Sequence, residues 1–519
     1  MTRLVLILFH LALLHPRLMS TQQTPSTADL SFTLSRKALD FLLGETQKIL
    51  DRQLVTLKLP SASQTIEGGE VEVRDVRLTR FVPPSYYYDL ESPHILVWGL
   101  NDASLYVNGQ WSGRKHITLP GKISLPFLKG SGGFEAELEQ LSLWLKAQMG
   151  RNESSGLTKI DNFQCNASIG NLSTRATGGV MGYVLNIFRT TVANKVKPLL
   201  EEAICNQMEY LIEQDVDREL FQKFPTMYDV GRKFQLTVSM TDAPNVDHQS
   251  GYIRLNHRTG IIYDGKDQTG RYMQSGSQGL SPGAATPLQP PLDRMIYIRM
   301  SEKPINMILY TMHMENMTAF IIDEHTSAQT ADYLRLDCSA QENCLGRSLE
   351  GISTIYPAPA KGAFRIYTSR TPQIRFNEGS ADLLAPVTME INVRTGPPQY
   401  AEDNLLVADV DMASTVRLSV DKEGKRIMGD WKLTKFDLVT RPVGVAGLVK
   451  VSNAKLADSL RGFVVDQGAS MLAKGFDAPV AATFVPGYQL KNVNLKVVSK
   501  VLQFEADMAV QSAFRARSE

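Results

Sequence analysis

The sequence predicts an α+β protein with two halves, each an antiparallel sheet packed against long amphipathic helices. Two observations indicate this fold class. Segments in which apolar residues recur every 3.6 residues alternate with segments in which they recur at every second place, and both halves run helix, meander, helix, strand. A stretch rich in Gly, Ser, Pro and Gln at 265–291 separates the halves. The chain has 519 residues, 43% of them hydrophobic, which suffices for large cores and excludes global disorder.

The first half begins with a short strand and a helix. Apolar and polar residues alternate over 30–34, and Ser35 is the predicted N-cap of a helix that runs to about Arg52. Between 64 and 149, alternating runs separated by turn signals predict an antiparallel meander with one buried face. The apolar stripe of the helix is formed by Leu39, Leu42, Leu43, Ile49 and Leu50.

A second, longer helix is predicted from about Val180 to Leu220. Pro198 should kink it, because proline lacks the amide donor and its ring clashes with the preceding turn. The apolar face of this helix needs an apolar partner, and the concave side of the meander is the candidate. Two strands follow, at 234–240 and 252–262. The apolar face includes Leu185, Phe188 and Val192.

The second half repeats this order of elements. A helix is predicted to begin at Met300, strands follow through 431–439, and a long helix covers about 454–474. Alternating strands at 490–498 and 501–508 come last. The apolar side of the first of these helices carries Ile305, Ile308 and Met312.

The first twenty residues predict a secretory signal peptide. An apolar run from Leu4 to Leu14 follows a positive start and ends before Pro16, and eleven apolar residues are too few to span a bilayer. A buried N-terminal helix is the alternative interpretation. Four sequons agree with export, and the even number of cysteines permits two disulfides in an oxidising compartment. We therefore expect a secreted, extracellular and soluble glycoprotein. The sequons are at Asn152, Asn166, Asn171 and Asn316.

Composition and motifs argue against several other classes of protein. The chain has 55 Lys+Arg against 54 Asp+Glu, whereas a nucleic-acid-binding domain shows a basic patch or stripe. The cysteines, at 165, 205, 338 and 344, form neither a CxxC pair nor a zinc ribbon. The GxSxG string at 279–283 lies in the linker, without the strand and helix that a nucleophile elbow needs. We expect no enzymatic activity, no metal and no cofactor.

Two segments resemble those of a known family. Ser35-Arg-Lys-Ala-Leu-Asp-Phe is similar to the opening of its first helix, and Asp293-Arg-Met-Ile-Tyr-Ile-Arg-Met-Ser, followed by Asn306 and Tyr310, is similar to the start of its C-terminal barrel. The family is that of lipid-transfer and lipopolysaccharide-binding proteins, which includes bactericidal/permeability-increasing protein, lipopolysaccharide-binding protein, phospholipid transfer protein and cholesteryl ester transfer protein. The resemblance covers nearly the whole chain after the signal peptide.

The resemblance implies an elongated boomerang of two barrels, each a twisted antiparallel sheet wrapped on long amphipathic helices, joined by a central sheet. Residues 1–20 are then the signal peptide and 21–240 the N-terminal barrel. Residues 241–292 supply central-sheet strands and the linker, and 293–519 form the C-terminal barrel with the returning strands of the central sheet.

The four cysteines are assigned to two disulfides. Cys165 and Cys205, with the amphipathic helix between them, resemble the disulfide of the family's N-terminal barrel. Cys338 and Cys344 are close in sequence and are predicted to form a local disulfide, without a family role.

The resemblance further implies that each barrel holds acyl chains in an apolar pocket, where burial stabilises them by about 0.8 kcal/mol per CH₂. We expect a monomeric lipid-binding or lipid-transfer protein for phospholipids or other acyl lipids, which contacts membranes or lipoprotein surfaces transiently and binds no nucleic acid. A structural protein whose barrels are closed by the same side chains would carry no lipid. The candidate lipid-binding residues are Leu39, Leu42, Leu43, Leu185, Phe188, Val192, Met300, Ile305, Ile308 and Met312.

The alternative function is that of an antibacterial, innate-immune protein that binds bacterial lipopolysaccharide. Such binding is expected to need a basic tip, but residues 21–240 contain 23 Lys+Arg and 24 Asp+Glu, a balance of −1. A small basic cluster on turns of the meander could contact phosphates or an anionic surface, or it could be an ordinary solvated hairpin end. The cluster consists of Arg114, Lys115, Lys122 and Lys129.

Overall fold

The computed structural model describes most of the chain, and the predicted signal peptide lies outside the described residues. Within those residues, no helix is both long and apolar enough to cross a membrane. The described ranges are 28–54, 62–66, 69–119, 123–178, 189–213, 226–275, 292–339, 341–395, 402–421, 426–443, 449–474, 476–477, 488–498 and 500–510.

Strands dominate the described part of the chain, and helices are few. The helices are α1 (Arg36–Leu54), α2 (Arg189–Leu211), α3 (Thr269–Gln274), α4 (Lys303–Met314), α5 (Ala328–Tyr333), α6 (Ile352–Ile355) and α7 (Asn453–Lys474). The strands of the first half are β1 (Leu30–Ser35), β2 (Ala62–Ile66), β3 (Gly69–Val82), β4 (Ser85–Glu91), β5 (Ile95–Leu119), β6 (Ile123–Arg151), β7 (Thr158–Ala176), β8 (Met227–Gly231), β9 (Phe234–Met240), β10 (Asn245–Asp247), β11 (Tyr252–Tyr263) and β12 (Lys266–Asp267). Those of the second half are β13 (Ile296–Ser301), β14 (Phe320–Ile322), β15 (Leu349–Glu350), β16 (Lys361–Thr368), β17 (Gln373–Asn377), β18 (Ser380–Arg394), β19 (Glu402–Val420), β20 (Arg426–Pro442), β21 (Lys450–Val451), β22 (Phe476–Asp477), β23 (Tyr488–Val498) and β24 (Val501–Val510).

The first half contributes an antiparallel sheet, called here the N-terminal sheet, in the order β2-β3-β5-β6-β7 with β4 beside β5. Its longest pairing joins β5 to β6. One face of β6 is buried because its apolar residues alternate with polar ones, as the sequence predicts for a half-buried strand. The buried residues of this alternation are Leu141, Leu143, Leu145, Ala147 and Met149.

A central sheet joins the two halves of the chain. Its strand order is β23-β24-β13-β1-β11-β9-β8, with β10 and β12 also paired to β11. Strand β1 lies in the middle and pairs with β11 on one side, Phe32 opposite Leu255, and with β13 on the other, Phe32 opposite Ile298. Distant segments of the chain therefore meet in this sheet.

The C-terminal sheet has the order β14-β16-β18-β19-β20-β22, with β17 beside β18. Its core contains Phe364 and Leu406, and helix α7 packs on it through Leu456 and Leu460. Strands β15 and β21 form a separate two-stranded sheet.

One prediction about a helix start needs correction. Met300 lies in strand β13, not in a helix, and α4 begins only at Lys303. Met300 lies only three residues before α4, and the apolar periodicity of a helix does not show at which residue a preceding strand ends. Ser35 directly precedes α1, as the sequence predicts, and its hydroxyl donates to the Arg294 carbonyl at 2.6 Å.

His257 on strand β11 gives the fold a pH dependence. Burial lowers the pKa of His257 to about 4, and among the described residues its buried Nδ1 has no hydrogen-bond partner. The folded protein therefore keeps the ring neutral, while the unfolded chain takes up a proton below its ordinary pKa of about 6.5. The resulting stability is fully present above pH 6.5 and is lost as the pH falls towards 4, about 3 kcal/mol in total.

We expect the free energy of unfolding of His257→Gln to change less between pH 7 and pH 4.5 than that of the wild type, because glutamine does not titrate. Urea unfolding measured between pH 7 and pH 4.5 checks this. His325→Gln, at an exposed position, is the matched control. If the free energy of unfolding depends on pH equally in the wild type and in His257→Gln, His257 is not the source of this pH dependence.

Candidate functional site

A large apolar cluster lies where the N-terminal sheet, helix α1 and the central sheet meet. We call it the junction cluster. Its buried members include two of the candidate residues on α1, Leu39 at 0% exposure and Leu42 at 3%. The remaining buried members are Ala38, Leu90, Leu96, Trp98, Leu143, Leu145, Ala147, Met149, Ala167, Ile212, Val246, Ile253, Ile296, Ile298, Leu495, Phe504, Ala506 and Met508.

Half-buried apolar side chains surround this cluster, and they come from both long helices of the first half and from all three large sheets. Apolar side chains that remain partly exposed next to one another are typical of ligand-binding grooves. We call six of these residues the apolar rim. They are Leu43 on α1, Ile204 and Met208 on α2, Phe163 on β7, Leu255 on β11 and Val420 on β19.

Helix α2 is fixed against the edge strand β7. A disulfide joins Cys165 on the strand to Cys205 on the helix, with their Cα atoms 5.5 Å apart. The Glu201 carboxylate accepts the backbone N–H of Ile169 at 2.8 Å. The helix therefore covers a strand edge that would otherwise present unpaired backbone groups.

Three candidates of the predicted long helix cannot be placed in the site. Leu185 and Phe188 lie outside the described residues, and Val192 belongs to α2 but its side chain is not described. Helix α2, Arg189–Leu211, lies within the helix predicted from about Val180 to Leu220. Pro198 lies inside it, as predicted.

The second-half candidates do not form one group. Ile308 and Met312 pack against Phe234 and Ile261 of the central sheet. Ile305 lies on the other side of α4, against Phe376, Ala381 and Val497. Met300 is half-buried on β13, opposite Leu30.

The basic cluster is described only in part. Arg114 on β5 lies opposite Lys129 on β6, and both side chains are exposed. The Arg114 guanidinium also donates to the Glu70 carboxylate at 3.1 Å, which offsets part of the positive charge. The side chain of Lys115 is not described, and Lys122 lies outside the described residues.

The predicted modification sites differ in accessibility. Asn166, Asn171 and Asn316 are exposed, although the Asn171 amide donates to Glu139 at 2.9 Å. Asn152 is half-buried, and its side-chain oxygen accepts the backbone N–H of Ser154 at 3.0 Å. The structure also contains the local disulfide between Cys338 and Cys344.

An open cleft of about 660 Å³ lies between the turn Asp89–Pro93 and the segment Asn245–Gln249. Its walls carry the carboxylates of Asp89, Glu91 and Asp247. Acyl chains that filled this cleft would take these carboxylates out of water, which is unfavourable. The apolar rim, not this cleft, is therefore the candidate lipid site.

Family comparisons cover both halves of the chain. The N-terminal domain of the LBP / BPI / CETP family matches residues 38–214, and the C-terminal domain of the same family matches residues 230–510. These two matched segments correspond to the N-terminal sheet with its helices and to the central and C-terminal sheets.

Individual relatives are similar over shorter stretches. The bactericidal permeability-increasing protein of Rattus norvegicus is 25% identical over 177 residues, 33% of this chain and 34% of that protein. The phospholipid transfer protein of Mus musculus is 25% identical over 168 residues, 32% of each chain. The matched part is thus about a third of the length of each relative. The crystal structure of a lipopolysaccharide-binding protein has the same fold, with a TM-score of 0.50 and 17% identity over 93% of this chain and 99% of that one.

Proposed function

Because this chain belongs to the LBP / BPI / CETP family, we propose that it is a secreted protein that buries the acyl chains of phospholipids or similar lipids within the apolar rim. The members of this family bind or transfer lipids and are not enzymes. We accordingly infer that this chain binds lipids, and we propose that phospholipids are the lipids it binds.

The apolar rim is the observation that carries this proposal. Leu43, Met208 and Leu255 are half-buried although they adjoin a fully buried cluster, so apolar surface remains open at the junction of helices and sheets. An acyl chain that covers this surface is stabilised by about 0.8 kcal/mol per CH₂. Methionine at such a site adapts to ligands of different shape, because its side chain is unbranched and flexible.

We further propose that the two halves form an elongated boomerang of barrels, divided at 21–240, 241–292 and 293–519 as the sequence predicts. A second apolar site would then lie in the second half, near Ile308 and Met312 on α4.

Two disulfides support secretion, because such bonds persist in oxidising compartments. The exposed sequons at Asn166, Asn171 and Asn316 would carry glycans. We propose that the protein acts as a monomer that contacts membranes or lipoproteins transiently.

Leu43→Gln tests the acyl site. The glutamine amide would face the apolar rim without a hydrogen-bond partner, so we expect the affinity for a fluorescent phospholipid to fall by about tenfold or more. Lys48→Gln, on the exposed side of the same helix, is the control and leaves the affinity unchanged. Added salt changes the wild-type affinity little, because the contact is apolar. Equal affinities of both variants and wild type would contradict the proposal.

Lipopolysaccharide binding is the second candidate function, favoured by the facing cations Arg114 and Lys129. This function predicts binding that weakens with salt and is lost in the double variant Arg114→Glu with Lys129→Glu. The Leu43→Gln variant separates the two functions. If lipopolysaccharide is the ligand of the basic cluster alone, Leu43→Gln binds it normally while the double variant does not.

A further inference from the structure

The central sheet has a polar face that is buried, opposite its apolar face. On β1 the apolar side chains of Leu30, Phe32 and Leu34 pack towards the junction cluster, and the alternating polar side chains point the other way. Ser31 and Thr33 on that side have 0% exposure. We call this side the polar face. It comprises Asp29, Ser31, Thr33 and Ser35, then Tyr252, Arg254 and Asn256 on β11, Tyr297, Arg299 and Ser301 on β13, and Gln503, Glu505 and Asp507 on β24.

Three carboxylates of the polar face each have a cation of their own. Asp29 accepts from Lys303 Nζ at 3.0 Å, and Glu505 pairs with Lys496 at 2.6 Å. Asp507 pairs with the Arg294 guanidinium at 2.9 Å and with Lys37. None of these three acids is therefore left over to neutralise a further positive charge. Asp247 on β10 lies on the same face, opposite Tyr252, but among the described residues it forms no ion pair with Arg254.

Arg254 forms no ion pair among the described residues, and its guanidinium lies over the Tyr252 ring at 5.7 Å. Its Nε and Nη1 atoms are buried and have no hydrogen-bond partner among the described residues. Arg254 lies directly opposite Thr33, so the two Cβ atoms are about 5 Å apart. The hydroxyls of Thr33 and of Ser31, one pleat away, are likewise buried and without a partner in the described chain.

A second buried guanidinium increases the positive potential here. Arg299 lies on the other side of Ser31, on β13. Burial lowers the pKa of Arg299 to about 10, and the nearby positive charge of Arg254 contributes to this lowering. Two like charges in a low-dielectric region repel each other unless an anion lies between or beside them.

We propose that the polar face binds an oxyanion carrying a phosphoryl group, held by Nε and Nη1 of Arg254 and by the hydroxyls of Ser31 and Thr33. The planar guanidinium fork matches two oxygens of a phosphoryl group, and hydroxyls donate to a third. The site is on the opposite face of the sheet from Leu30, Phe32 and Leu34, so it is independent of the proposed acyl site. A free phosphate ion and the headgroup of a phospholipid share this chemistry.

Phosphate titration of the full-length protein by isothermal calorimetry, at constant ionic strength maintained with chloride, tests the site. We expect one saturable site in the wild type and a loss of affinity of about tenfold or more in Arg254→Met, since a charged donor of two hydrogen bonds is removed. Arg258→Met is the matched control, because Arg258 is exposed on the same strand, and it retains wild-type affinity.

Thr33→Val provides a second variant that keeps the shape and the strand preference of the residue while removing the hydroxyl. It is expected to weaken phosphate binding severalfold with an unchanged circular dichroism spectrum. Absence of saturable phosphate binding in the wild type overturns the proposal. Wild-type affinity in both Thr33→Val and a folded Arg254→Met also overturns it.

Competition identifies the source of the phosphoryl group. If short-chain dihexanoyl phosphatidic acid displaces phosphate in the wild type but fails to bind Arg254→Met, the site takes a lipid headgroup. If it does not displace phosphate, the site takes the free ion. Leu43→Gln leaves phosphate affinity unchanged in either case, which separates this site from the proposed acyl site.

Discussion

Replacing both Cys165 and Cys205 with serine lowers the free energy of unfolding by about 4 kcal/mol, because the disulfide closes a loop with a sequence separation of 40. Without the disulfide, the unfolded chain regains the conformational entropy that closing this loop removes. In the described part of the chain, the Glu201 contact and apolar packing then hold α2 on β7. Since α2 supplies Ile204 and Met208 to the apolar rim, lipid affinity should fall with stability.

Denaturant unfolding, followed by circular dichroism, measures this effect. The control replaces Cys338 and Cys344 with serine, whose disulfide has a sequence separation of only 6, and it should cost about 2 kcal/mol without changing lipid affinity. If removing the Cys165–Cys205 disulfide lowered the free energy of unfolding less than removing the control disulfide, the longer loop would not be the source of the stabilisation.

Replacing Lys303 with methionine destabilises the protein by about 3 kcal/mol or more, because it leaves the buried Asp29 carboxylate without a cation. Asp29 is 1% exposed, and its other donors are the backbone N–H and the hydroxyl of Thr259. Asp29 precedes β1 and Lys303 begins α4, so this pair links the first and second halves of the chain at the central sheet.

The double variant Asp29→Asn with Lys303→Met should recover most of the loss, since no unpaired charge remains. Arg370→Met removes an exposed ion pair with Asp411, and it should cost less than about 1 kcal/mol. Chemical denaturation of the four proteins gives the comparison. A loss in Lys303→Met no greater than in Arg370→Met would show that the central pair does not stabilise the junction.

Local patterns in the sequence predicted individual elements well. The strand predicted at 234–240 corresponds to β9, and those at 490–498 and 501–508 correspond to β23 and β24 within two residues at each end. The family resemblance is confirmed by matches over both halves. The strand positions depend on alternation within one segment, which is visible without knowing what the segment touches.

Long-range pairing was not predictable in the same way. Ser31 and Thr33 alternate with apolar residues, so β1 has the pattern of a strand with one solvated face. The structure instead places β1 between β11 and β13 and buries both faces. The misplaced helix start at Met300 has a different cause, because Met300 ends a strand only three residues before α4 and local periodicity does not separate the two elements.

The candidate site was predicted from the apolar faces of three helices, and among the described residues only the candidates on α1 lie at the junction cluster and the apolar rim. The apolar stripe of α1 identified Leu39 and Leu42, which the structure places in the junction cluster. Phe163 and Leu255 belong to strands whose patterns show which face is apolar but not which partner it meets. Their place in the apolar rim depends on how three sheets come together, and no spacing within the sequence carries that information.

Native mass spectrometry of the secreted protein, followed by extraction and identification of the bound molecules, tests lipid carriage most directly. We expect a mass excess that corresponds to phospholipid, with two molecules per chain if the proposed site near α4 is also occupied and one if only the apolar rim holds lipid. A chain that is empty, and that also fails to take up fluorescent phospholipid, would contradict the proposal that this protein carries acyl lipids.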